Sequence, residues 1–158
     1  MILYLIGMVA AYFATQFAGY IVHRLLHNPK LRRLHRSHHV HHRKLYPPKY
    51  FLSYRYYGPG WKDNPLVYYA IPAIPLFLLC FWLFAAWYAC TLVGEIVLIA
   101  LINDAIHSRI HIKGHWLERF RWFLWLRGRH YRHHVQEDKN FFIFDKLPDK
   151  IFGTYSRD

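Results

Sequence analysis

The sequence predicts an all-α integral membrane protein with about three transmembrane spans and a cytoplasmic helical cap rich in histidine. Three observations carry that expectation. Of 158 residues, 21 are Lys or Arg and 9 are Asp or Glu, a formal net charge of +12, yet whole stretches carry almost none of it. No charged residue occurs from Met1 to Val22, and from Asn64 to Asn103 the only one is Glu95. Thirteen histidines stand against two cysteines. The mean hydropathy near zero therefore averages two incompatible populations, which excludes a soluble globule. The cysteine count excludes a disulfide framework and a Cys-ligated zinc domain. Cys80 and Cys90 read as small hydrophobes in apolar sequence.

The chain reads as one unit over 1–158. Residues 1–22 would make a helix of about 33 Å, enough to cross a hydrocarbon layer of roughly 30 Å. With no basic residue ahead of the apolar run, an anchor is favoured over a cleaved signal peptide. Ala10, Ala14 and Ala18 form a small-residue stripe suited to close helix approach. The stretch 64–106 is too long for one crossing and is expected to fold back as spans 65–84 and 86–106, with a turn at Phe84–Ala86. The basic segments 23–63 and 107–158 then share one face, which the positive-inside rule makes cytoplasmic. Glu95 is expected to face the protein interior. Pro47-Pro48 and Gly58-Pro59-Gly60 mark a loop, with Tyr56, Tyr57 and Trp61 at the interface. Residues 116–126, WLERFRWFLWL, read as a short helix on the membrane surface.

The histidines fall as His23-x3-His27, His35-x2-His38-His39, His107-x3-His111 and His130-x2-His133-His134, each near the end of a span or just beyond it. Positions i, i+3 and i+4 share a helical face, so each group can aim two or three ring nitrogens at one point. Asn28-Pro29 supplies an N-cap and a proline for a new helix carrying the second group. These ten imidazoles exceed what one ion can take, and they predict two transition metals. His38-x2-His41-His42 fits the same template in a second register. The earlier register is favoured, with His42 adjacent to the site and His41 and His115 not expected among the ligands. Asn103 and Asp104 share the arc of His107 and His111 and are expected to stand behind the ligands, accepting a ring N–H. Gln16 and Tyr20 share the arc of His23 and His27.

HRLLH at 23–27, HRSHH at 35–39, HSRIH at 107–111 and HYRHH at 130–134 resemble the histidine boxes of the membrane-bound fatty acid hydroxylase and sterol desaturase superfamily. The tail NFFIFDKLPDKIFGT, 140–154, is similar to that family's closing segment, and the resemblance gives Asn140 and Asp149 a supporting part. It implies a di-iron centre, catalytic through histidine-bound metals, that uses O2 to hydroxylate an unactivated C–H bond of a fatty-acyl or sterol-like lipid. Zinc is able to replace iron in purified protein. Electrons would come from NAD(P)H through a cytochrome b5- or ferredoxin-type donor, a separate protein since no donor domain is fused here. The host membrane would be the endoplasmic reticulum in a eukaryote or the inner or plasma membrane in a bacterium. Desaturation uses the same site, and the chain's length and fourth box are also similar to small carotenoid hydroxylases. Three spans instead of the usual four or more make this a minimal member. A membrane metal carrier, the reading from another class, needs no facial alignment of boxes, and the spans argue against a nucleic-acid partner.

Overall fold

The computed structural model describes residues 2–58 and 65–157, with side chains 65–72 excepted. The expected interface position of Trp61 and the Pro59-Gly60 part of the loop lie outside the described residues. The described residues form six α-helices: α1 (Ile2–Leu26), α2 (Arg32–Val40), α3 (Pro65–Leu83), α4 (Ala86–Ile110), α5 (Arg121–Val135) and α6 (Leu147–Ile151). A π-helical turn, His41–Leu45, continues α2, and short 3-10 turns cover Pro48–Tyr50 and Trp116–Arg119. Among the described residues the only β pairing is a single bridge between Ser53 and Ile112.

Both α1 and α4 are long and apolar enough to cross a membrane, while the apolar segment Ala73–Leu83 of α3 is shorter. Each long helix overruns its expected end by one turn, α1 to Leu26 and α4 to Ile110. That extra turn carries His23 in α1 and His107 in α4, so the histidines ride on rigid helix instead of a connecting loop. The reversal between α3 and α4 falls where expected, with Ala85 extended ahead of α4.

Helices α1 and α4 run side by side in the same direction. The small residues that permit this are not the expected stripe. Ala10 and Ala14 are exposed, whereas a side chain on Gly7 would overlap the Tyr88 hydroxyl, which donates 2.7 Å to the Tyr4 carbonyl. Ala11 packs on Tyr88, Ala89 and Leu92. The contact face therefore includes Gly7 and Ala11, spaced by four like the expected stripe but rotated around the helix.

Beyond the long helices lies the cap. Helix α2 begins at Arg32, later than expected, because Asn28 is used in a turn: its Oδ1 accepts from Lys30 N at 3.0 Å. The aromatic stretch expected as a separate surface helix is split. Trp116–Arg119 is a 3-10 turn, and the rest opens α5, which runs on through the last histidine box. Phe123 and Leu126 are buried with Phe51, Ile110, Leu117 and Ile143, leaving Trp116, Trp122 and Trp125 outward.

Candidate metal centre

The structure gathers nine histidines into two buried groups. His23, His27, His38, His42 and His133 form the first, and His41, His111, His130 and His134 the second, with one ring nitrogen of each member within 4.8 Å of those of its group. The first group draws on α1, α2 with its π turn, and α5. The second draws on the π turn, the end of α4 and α5. Because His133 and His134 are neighbours on α5, and His41 and His42 on the π turn, each of these two elements feeds both groups.

Within the groups, Nε2 atoms face one another. His38 Nε2 lies 2.9 Å from that of His23 and 2.8 Å from that of His27, and His27 reaches His133 at 3.0 Å. In the second group His130 Nε2 is the hub, 2.9 Å from His111 and 3.1 Å from His134. A transition metal about 2.0–2.1 Å from each imidazole nitrogen spaces its ligands about 3–4 Å apart, which is what these groups offer. Buried ring nitrogens of His41 and His42 also lack any hydrogen-bond partner, a cost that a metal ligand removes. The donor set therefore fits two metal ions held by nitrogen.

The ring orientation has a cause. A neutral imidazole that donates from Nδ1 keeps a lone pair on Nε2. His111 Nδ1 donates to the Phe51 carbonyl at 3.0 Å, His134 Nδ1 to the Tyr46 carbonyl at 2.7 Å, and His133 Nδ1 to the Lys139 carbonyl at 2.7 Å. These carbonyls do what Asn103 and Asp104 were expected to do. Neither of those side chains hydrogen-bonds a histidine among the described residues; both line a cavity instead. Burial keeps the rings neutral. It lowers His134 to about 3 and, with the nearby His23, lowers His27 to about 2. His38, His41, His42, His111, His130 and His133 are held well below the usual imidazole value, first by burial and then by neighbouring histidines.

Of the ten histidines expected as ligands, the structure brings seven into the two groups. His107 stands against the second, its Nε2 3.0 Å from His130 Nε2 and its ring 5.1 Å from His41. His35 and His39 lie outside both: His35 Nδ1 donates to the Leu26 carbonyl at 3.2 Å, and His39 is exposed. His41 and His42 take their places, so the later register is the one the fold uses. The sequence carries a signal for this. At 100° per residue, Leu31, Leu34 and Leu45 share a face with His38, His41 and His42, whereas Arg32, Arg36 and Arg43 share the face of His39. His115 caps the 3-10 turn, accepting from Leu117 N, and stays outside the groups as expected. Tyr20 turns to the tail, its hydroxyl 3.1 Å from Thr154 Oγ1, and Gln16 is buried.

The tail is tied to the centre by a buried ion pair. Arg129 Nη2 meets Asp149 Oδ2 at 3.1 Å, and donates to the Phe142 carbonyl at 2.8 Å. Asp149 also accepts from Phe141 N at 2.8 Å, Phe142 N at 3.1 Å and Thr154 Oγ1 at 2.7 Å. Asn140, at φ 50°, binds Ser156 N through Oδ1 at 3.0 Å. Asn tolerates that left-handed backbone better than most residues. Together these bonds hold segment 139–143, which supplies the carbonyl for His133 and packs Phe141 against His23, His27 and His133. Phe142 reaches α1 only because residue 19 is glycine: a Cβ there would lie 2.7 Å from its ring. The supporting part expected of Asn140 and Asp149 is thus an interior clasp, and Arg129 is the member sequence reasoning missed.

A cavity of about 270 Å³ opens beside the histidines between α1, α3 and α4. His23, His38, His41 and His107 form one end of it, and Val22, Ile96, Ala100, Phe142 and Leu76 line its sides. The fatty acid hydroxylase family profile matches residues 8–154, a stretch containing all thirteen histidines and the tail clasp. The chain belongs to the fatty acid hydroxylase family. Comparison with curated proteins and with solved structures gave no match. As a fatty acid hydroxylase family member, the chain combines a lipid hydroxylase or desaturase type of function with apolar helices suited to a membrane and histidine groups that could hold metal.

Proposed function

We propose that this protein is a membrane-bound, O2-dependent di-iron lipid hydroxylase that inserts oxygen into an unactivated C–H bond of a fatty-acyl or sterol-like lipid. One observation carries the reading: three histidines from the two groups, with His107 beside them, form part of the wall of an apolar cavity between membrane-type helices. Bound by these nitrogens, two irons would supply the activation of O2 and the two-electron oxidation of the C–H bond, with reducing equivalents from NAD(P)H through a cytochrome b5- or ferredoxin-type donor. His23, His27, His38, His42 and His133 would hold one ion and His41, His111, His130 and His134 the other, with His107 beside them.

The chain's own part is positioning and exclusion of water. The carbonyls of Phe51, Tyr46 and Lys139 fix three rings with Nε2 toward the metals. The apolar walls take up hydrocarbon and keep solvent from the oxidant. In this reading α3 is a third span and the histidine end faces the cytoplasm, where Lys and Arg concentrate. That basic face would attract an acidic donor protein. Desaturation is the second reading, favoured by the same family match.

The test is lipid mass spectrometry of cells expressing the protein under 18O2, with a His133→Ala, His134→Ala control. A lipid carrying one 18O only with the intact protein is the expected result. Loss of two hydrogens without label would replace hydroxylation by desaturation, and no change with a donor and lipid supplied would overturn both.

A further inference from the structure

His35 and His39, four residues apart on α2, belong to neither metal group, yet they are neighbours of each other. Their ring centroids lie 5.5 Å apart with the planes at 46°. His23 and His27, the pair of the same spacing inside the first group, lie at 5.4 Å and 39°. The pair on α2 thus has the geometry of one that the fold already uses in a metal group. His35 Nδ1 donates to the Leu26 carbonyl at 3.2 Å, which leaves the lone pair on Nε2. His39 is exposed, and neither of its ring nitrogens has a hydrogen-bond partner among the described residues. One ring is oriented and the other is open to solvent.

Position gives the pair a task. Of the first group's members only His27 is not fully buried, so an ion from the aqueous side reaches the group there. The other approach, through the apolar cavity, strips a hydrated cation of water and returns little. His35 sits on the Leu26 carbonyl, in the peptide that leads into His27. It also precedes His38 of the first group by three residues on α2, which puts their Cβ atoms about 5–6 Å apart. Resting on the two-ion reading above, we propose that His35 and His39 form a third metal site, a solvent-facing capture site that takes a divalent first-row transition ion from the aqueous side and passes it to the first group. Two neutral imidazoles suit Zn2+, Fe2+, Ni2+ or Cu2+, whereas Mg2+ and Ca2+ require oxygen ligands. Two nitrogens hold an ion less tightly than the first group's larger set. The exposed Arg32, Arg33 and Arg36 of the same helix also oppose a cation, while Arg43 is paired with Glu137. Occupancy is therefore brief, as transfer requires. An ion resting there meets the first group at an effective concentration on the order of mM and exchanges one imidazole for the next.

The test reads metal and needs no turnover. The full-length protein, zinc-loaded in nanodiscs, is dialysed against 65Zn2+. One ion beyond the two tightly held should bind reversibly. His39→Ala, which removes no hydrogen bond, and His35→Ala should each weaken that ion at least about tenfold. Arg36→Gln should tighten it about twofold by removing a like charge. After gel filtration all three variants should keep as much zinc as the wild type. The faster phase of 65Zn exchange into the tightly held zinc should slow about threefold or more in His39→Ala. Absence of a further ion, its survival in His39→Ala, or its displacement by equimolar Mg2+ would overturn the site. Exchange at the wild-type rate in His39→Ala would overturn the transfer. A protein that keeps no zinc through gel filtration, yet binds one ion through His39, would instead remove the two-ion reading and leave the capture site standing.

Discussion

The two histidine groups share a hub helix yet differ in how they are held. In the second group His111 and His134 are each locked by a backbone carbonyl, and Tyr46 stacks on His111 at 3.9 Å. Phe51 packs on His111, His130 and His134. Every member is buried. In the first group His133 has the Lys139 carbonyl at Nδ1 and His23 has a backbone partner at Phe141, while His27 is half-buried at the edge, with the Glu137 carboxylate 3.8 Å from its Nδ1. The difference teaches that one family of motifs can build a closed site and an open one side by side. Openness here comes from what surrounds the rings, since the ligand type is the same in both.

The largest expected effect comes from breaking the closed group at its hub. His130→Ala removes the nitrogen nearest to those of His107, His111 and His134, and should lower turnover by about 100-fold or more with loss of that group's metal. Metal content and lipid product measured together check this; retained metal with full activity would remove His130 from the centre. His41→Ala should act in the same direction. His35→Ala and His39→Ala should leave metal content unchanged, and the contrast between these pairs decides the register.

Next comes the clasp behind the open group. Asp149→Ala removes the carboxylate that faces the buried Arg129 guanidinium, and should destabilise the protein by about 3–5 kcal/mol. Thermal melts in detergent give the measurement. Since the clasp holds the Lys139 carbonyl on His133, metal loss should appear first in the group containing His133. Simultaneous loss from both would mean that the clasp supports the fold as a whole.

Acid should act on both groups through linkage. Folded rings held near 2 to 3, such as His27 and His134, stay neutral while the unfolded chain protonates at about 6.5. Stability of the metal-free protein is then full above pH 6.5 and falls as pH drops below it, by about 1.4 kcal/mol per pH unit for each such histidine. Unfolding followed by circular dichroism against pH checks this, and a flat profile from pH 7 to 5 would show the rings already charged in the fold.

Much of this was legible in the sequence. Charge-free runs located α1, the reversal at 84–85 and α4, because long apolar helices leave a compositional mark that amphipathic ones do not. Helical spacing located four histidine boxes. The register of the second box was ambiguous in spacing alone, since His35, His38 and His39 are as well aligned as His38, His41 and His42. Packing of the leucine face decides it, and the π turn then carries His41 and His42 to opposite groups. The ring-orienting carbonyls of Tyr46, Phe51 and Lys139 were illegible for another reason: a backbone carbonyl has no side-chain identity to read. Arg129 was hidden among the basic residues of α5, where a buried arginine and a surface one look alike.

The smallest expected effect sharpens the contrast between open and closed. Arg43 Nε holds Glu137 Oε1 at 2.8 Å, and Glu137 in turn faces His27, on a partly exposed edge. Ion pairs in such settings contribute about 0.2–1 kcal/mol. Chelator-driven metal release should therefore run in two phases, with the fast phase belonging to the group containing His27. Glu137→Gln should speed that phase about two- to fivefold and leave the slow phase untouched, because no member of the second group reaches this edge. A change in the slow phase, or release in a single phase, would mean that the shared elements, the π turn and α5, couple the two groups so tightly that the exposed edge does not set lability.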